Sequence, residues 1–310
     1  MRFVLAAFTY FGYLFIITMY SVKVAKYLRL PIHLRSEVYP VIPGDQLSRE
    51  KTYYENLEWW TKPRQKNKLR RLWFLFSDYL LLAEYFRRDR GYWLVLYPWH
   101  IGFIFIITFH ILSFFGALFE WLGVSVTPNS SFLFGIGLYY VSLATGVISF
   151  VSGLFGSIGV LINRLVRSDL RDYASPQTYF NYLFLLMVFL SGLLAWIFAD
   201  PTFSEYREFW KGLIVFKPTN VEALVAVHIL LFAFLLIYLP FTRSLHYITR
   251  LFGFLLIRWD DEPNLPGSLL EREVEEALKQ KLNWRGPHIQ SGSSWRDVAL
   301  GEAPRGRNGV

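Results

Sequence analysis

Five long apolar runs, separated by short polar stretches, constrain this chain more than any other feature. A run of about 20 apolar residues is long enough to cross a bilayer as a helix, and repeated runs of that length are the pattern of a polytopic membrane protein. The composition agrees. Hydrophobic residues make up 54% of the 310 and aromatics 19%, more than a soluble domain of this length carries.

The first run covers about 3–22. It follows Met1-Arg2 and shows no small-residue cleavage site, so it reads as a retained helix and not as a signal peptide. A polar segment follows, over 23–91, with Pro31, Pro40, Pro43 and Pro63. Near its end Leu72 to Phe86 is aromatic and apolar, broken by Asp78 and Glu84 and flanked by arginines, which predicts an interfacial helix. Further spans are expected over about 92–122, 131–162, 179–199 and 221–257, the last containing Pro240. Gly153, Gly156 and Gly159 recur every three residues and predict close helix contact in the third span. The organisation is therefore a first helix (1–22), a cytoplasmic segment (23–91), a four-helix membrane domain (92–257) and a partly disordered cytoplasmic tail (258–310) with a short amphipathic helix over 268–282.

Lysine and arginine near the span ends set the orientation. The segment after the first span is basic, the loop near 123–130 has no Lys or Arg, and Arg164, Arg167 and Arg171 follow the third span. Arg243, Arg250 and Arg258 mark the C-terminal side, whereas the loop near 200–220 is mixed, with Arg207, Lys211 and Lys217. The consistent solution places the N-terminus outside and the C-terminus in the cytoplasm. The net charge of +8 sits beside apolar spans, which argues for a membrane surface and against nucleic acid.

The chain has no cysteine. Disulfides, thiolate zinc sites, c-type haem attachment and cysteine-ligated iron–sulfur clusters are thus excluded. Of six histidines, His100 and His110 fall in the second span and His228 and His246 in the fifth. Ionisable groups inside a membrane are costly and mark functional sites. On a helix, eighteen residues make five turns and rise about 27 Å, so His228 and His246 share a face; ten residues rise about 15 Å and leave about 80° of rotation. The two spans run in opposite directions under this topology. His100 and His246 then lie toward the cytoplasm, and His110 and His228 toward the outside. Two facing pairs at two depths are what two bis-histidine b haems require. A zinc or di-iron bundle site needs carboxylates that the spans scarcely hold; a single intramembrane His can also serve as a neutral helix-interface hydrogen bond. Arg243 reads either as a snorkelling cation or as the partner of a haem propionate, with Arg164 and Arg250 as weaker versions of the same idea. His33 and His288 read as surface histidines. Glu120, Tyr139, Tyr140 and Glu222 are polar candidates for a quinone pocket near the outer pair.

The stretch from His228 through Pro240-Phe241-Thr242-Arg243 to His246 resembles the last helix of the respiratory nitrate reductase gamma subunit, as does the His100/His110 spacing of ten and the run from Asn163-Arg164-Leu165 to Ser175-Pro176. The front half, with Leu30-Pro31-Ile32-His33-Leu34-Arg35 and Trp59-Trp60-Thr61-Lys62-Pro63, is similar to gamma-like cytochromes of membrane complexes that carry a heterodisulfide-reductase-like subunit, the sulfite-reduction-associated complex among them. The resemblance implies a five-helix, all-α integral membrane protein of the cell membrane. It implies two b haems, on His100 with His246 and His110 with His228, and electron exchange between a quinone, expected to be menaquinone, and a cytoplasmic iron–sulfur partner. One departure matters. Phe109 precedes His110 where that family has Gly, and no Lys lies between His110 and Asn163, so a quinol pocket does not carry over residue by residue. The competing expectation is a haem-free anchor or transporter subunit that docks a soluble complex.

Overall fold

A computed structural model describes residues 2–29, 73, 76–77, 79–242, 246, 266–286 and 289–302. The chain divides into two compact units, Met1–Thr18 with Trp73–Thr242, and Met19–Leu72 with Arg243–Val310. Among the described residues the regular structure is helical, with two isolated β-bridges in the second unit.

Among the described residues five helices are long and apolar enough to span a membrane. They are α1 (Arg2–Leu28), α3 (Arg90–Trp121), α4 (Leu133–Val166), α6 (Pro176–Phe198) and α8 (Ala223–Tyr238), the last extended by a 3₁₀ turn at Leu239–Phe241. Between them lie α2 (Ala83–Arg88), α5 (Ser168–Arg171) and α7 (Ser204–Ile214). Large apolar side chains such as Phe3, Leu14, Leu133, Phe155 and Val166 are exposed along the spans. In water such a surface would drive aggregation; in lipid it is the outer wall.

Each boundary has a local cause. Asp89 starts α3: its carboxylate accepts the Tyr92 N–H at 2.9 Å, and Arg167 pairs with its other oxygen at 2.6 Å. These bonds hold the Asp89 carboxyl below its usual range, the backbone bond first. Ser175 starts α6 with a reciprocal capping box to Thr178 and Pro176 at the first helical position. The first helix runs to Leu28, past the expected end at residue 22, because Lys23 and Lys26 are good helix formers that keep their charges out of the bilayer. Pro240 tightens the end of the fifth span into a 3₁₀ turn, and its expected continuation to residue 257 lies outside the described residues apart from His246. The expected interfacial helix over 72–86 is described only in part; within that part a left-handed Leu82 (φ 50) precedes α2.

In the first unit α1 packs on α8, α8 on α6, α6 on α4 and α4 on α3, with α7 against α3 and α3 meeting α8 through His110 and Phe232. Glycines set the α3–α4 contact. A methyl group on Gly102 would overlap the backbone of Gly153, and one on Gly156 would overlap the backbone of Trp99. Ser149 Oγ then reaches the Gly102 carbonyl at 2.9 Å. Small residues that let backbones touch are the usual means of helix association in lipid, and the expected role of Gly153, Gly156 and Gly159 is met by Phe189, Trp99 and Val95 respectively. Gly156→Ala should therefore cost about 1–3 kcal/mol through overpacking. Gly137→Ala, with nothing within 4 Å of the new methyl, should hold or raise stability by less than about 1 kcal/mol. Thermal unfolding in detergent compares the two, and equal effects would refute the packing argument.

Within the second unit, α9 (Leu269–Leu278) is the amphipathic helix expected over 268–282, started by Ser268. α10 (Trp295–Ala299) follows, started by a Ser294 capping box, with Ser294 bridged to Lys281 beside a buried Leu282.

Candidate haem site

His110 is buried in α3 and His228 in α8, at 2% and 4% exposure. Their rings lie nearly parallel, with centroids 5.5 Å apart and planes 16° from each other. Around them pack Phe109, Phe150 and Phe232, the last stacked on His110 at 3.4 Å. A small cavity of about 10 Å³ lies beside His228, walled by Phe109, Phe150, Phe203, Tyr206 and Val225. Gly146 and Gly192 make room for this aromatic group, since a methyl on either would meet Phe203 or Phe150.

Hydrogen bonds fix how each imidazole is turned. Ser191 Oγ donates to the Val188 carbonyl at 2.8 Å and lies 3.1 Å from His228 Nδ1. Its proton is committed to Val188, so toward His228 it can only accept. His228 Nδ1 is therefore the protonated nitrogen, and Nε2 keeps its lone pair. His110 Nδ1 hydrogen-bonds to the Tyr206 hydroxyl. Both Nε2 atoms are buried with no partner among the described residues. A buried polar atom without a partner is costly and needs a reason.

The donor set fits a metal between the two rings. Each ring offers an unpartnered, buried Nε2, the atom type through which an imidazole would hold a metal. Apolar, aromatic surroundings and two imidazole nitrogens are the chemistry that would hold a b haem and its one-electron couple.

Tyr206 reaches this site from α7, which the sequence reading treated only as a mixed loop. Asp200 accepts the Tyr206 N–H at 2.9 Å and so caps the helix, while Tyr206, Arg207, Phe209, Trp210 and Leu213 form its buried side. The signal was present as Asp200-Pro201 followed by apolar residues at helical spacing. Burial pushes the Tyr206 phenol above its ordinary pKa, so the hydroxyl stays protonated. The next residue, Arg207, is 2% exposed; it pairs with Glu120 at 3.2 Å and donates to the carbonyls of Thr202 and Val126 at 3.0 and 3.2 Å.

The remaining expected residues fall as follows. His100 is half-buried in α3, and its Nε2 donates to the Tyr79 carbonyl at 2.9 Å; metal binding through that atom requires release of Tyr79. His246 belongs to the second unit, where it is helical and exposed. Arg243, Arg250, His33 and His288 lie outside the described residues. Arg164 donates to the Leu170 carbonyl at 2.7 Å. Of the quinone-pocket candidates, Glu120 is engaged by Arg207 and Tyr139 lies beneath the same guanidinium. Tyr140 is exposed, and the Glu222 N–H donates to Glu205 at 2.6 Å.

Comparison with known proteins bears on the same region. Residues 86–260, more than half of the chain, match the nitrate reductase gamma subunit family. A Hdr-like menaquinol oxidoreductase cytochrome b-like subunit from Archaeoglobus profundus is 24% identical over 187 residues, covering 56% of this chain and 54% of that relative. This chain thus spans about half the length of the relative it matches. No solved structure matches. With five apolar helices and that match across four of them, the chain is a multi-pass membrane protein that belongs to the nitrate reductase gamma subunit family.

Proposed function

We propose that the chain is the di-haem cytochrome b subunit of a membrane oxidoreductase and exchanges electrons between membrane quinone and a cytoplasmic iron–sulfur subunit. The buried His110–His228 pair carries this reading: nearly parallel rings, Nδ1 atoms engaged by hydroxyl oxygens, and Nε2 atoms left without partners. A bound b haem supplies a one-electron ferric/ferrous couple. His110 and His228 would hold that group, with Phe109, Phe150 and Phe232 keeping water from it. His100, His246 and Arg243 would hold the second. The N-terminus lies outside and the C-terminus in the cytoplasm, which puts the His110–His228 pair toward the outer surface. The name of the Archaeoglobus profundus relative, an Hdr-like menaquinol oxidoreductase subunit, supports menaquinone as substrate and an Hdr-like partner subunit.

Purified protein should be red and develop b-type absorption bands on reduction. A quinol-site inhibitor should shift the spectrum or potential of the haem that His228→Ala removes. Colourless protein would favour the haem-free anchor, and an inhibitor that perturbs only the haem lost in His100→Ala protein would move the quinone pocket to the cytoplasmic side.

A further inference from the structure

We infer that Tyr206 and Ser191 are positioning residues that set the reduction potential of the outer haem by accepting the Nδ1 protons of His110 and His228. The inference rests on the haem reading above and goes beyond it. A ligand set says which atoms bind the iron; these two hydroxyls bear on how readily the iron gives up an electron.

The argument begins with the tautomers. An imidazole that ligates through Nε2 carries its proton on Nδ1, and the acceptor met by that N–H tunes the ring's basicity. Ser191 is 7% exposed, its own proton goes to the Val188 carbonyl, and its oxygen lies 3.1 Å from His228 Nδ1, beside that same carbonyl as a further acceptor. Tyr206 is 5% exposed and arrives from a third element, α7, to meet His110 Nδ1. That helix is fastened at two points: Asp200 holds the Tyr206 N–H, and Arg207 bonds to Glu120, Thr202 and Val126. The hydroxyl is thus fixed with respect to α3 and does not simply fill space. Neither acceptor is a carboxylate. Each draws the Nδ1 proton weakly, leaving the ring an ordinary neutral imidazole with modest extra basicity.

The sign follows. An acceptor at Nδ1 makes the ring a better donor to iron and favours the ferric state, which lowers the potential. Removing the acceptor raises it. The two bonds serve ligands of one haem, so their removal should act on that haem alone.

The test is a redox titration of the full-length protein carrying Tyr206→Phe or Ser191→Ala, after a haem count. Each variant should keep two haems. In each, the potential of one haem should rise by up to roughly tenfold in the ferric/ferrous equilibrium, or about 59 mV for one electron. The affected haem should be the one missing from His228→Ala protein, and the second haem should titrate as in the wild type. Unchanged potentials in both variants would overturn the inference, as would equal shifts of both haems, which would signify a general structural disturbance. If Tyr206→Phe protein loses its outer haem, Ser191→Ala decides alone. Wild-type protein without haem would remove the haem reading itself, and this inference with it.

Discussion

Arg207→Met should destabilise the folded protein by about 3 kcal/mol, the usual scale for stripping one partner from a buried ion pair. The guanidinium is 3% exposed and makes three hydrogen bonds, to Glu120 and to the carbonyls of Thr202 and Val126. Methionine keeps the stem that packs on Gly116 but leaves a carboxylate and two carbonyls unpaired. Glu120→Gln should cost less, about 1 kcal/mol. Its side chain is 20% exposed, the amide oxygen can still accept from Arg207, and both carbonyl bonds survive. The ranking is the informative part, and denaturation of the two purified variants in the same detergent measures it. A Glu120→Gln loss equal to or larger than that of Arg207→Met would show that the charge pair, and not the carbonyl anchorage, holds α7 in place. Because Tyr206 is the adjacent residue, Arg207→Met should also loosen the contact with His110.

The five spans were legible because lipid demands uninterrupted apolar length, a signal that needs no tertiary information. Gly153, Gly156 and Gly159 were legible for a related reason: only close backbone approach accounts for glycine at that spacing in a membrane helix. His110 and His228 were expected to face each other from their spacing, and their rings lie 5.5 Å apart. Other features were hidden by their dependence on tertiary contacts. The segment 204–214 has the polar surface of a loop, and its helix is recognisable only once Asp200 is seen as its cap and Tyr206 and Arg207 as its buried side. Glu120 looked available to a ligand because its partner lies 87 residues along the chain. Ser191 gave no signal at all; a serine in an apolar run usually bonds back to its own helix, as this one does with Val188, and its second role depends on α8 bringing His228 alongside.

The largest functional effect is expected at the paired imidazoles. His110→Ala and His228→Ala should each abolish one haem, and the same one, because a low-spin haem held by a single imidazole loses half of its protein ligation. His100→Ala and His246→Ala should each remove the other. The Nδ1 bonds to Tyr206 and Ser191 cannot compensate for a lost ring, since both end on hydroxyls that have no route to the metal position. A pyridine haemochrome assay on purified wild-type, His110→Ala and His228→Ala proteins tests this account most directly. It predicts two haems per chain in the wild type and one in each variant, with matching redox titrations for the haem that remains. Wild-type protein with one haem or none, or variants of His110 and His228 that retain different haems, would contradict it.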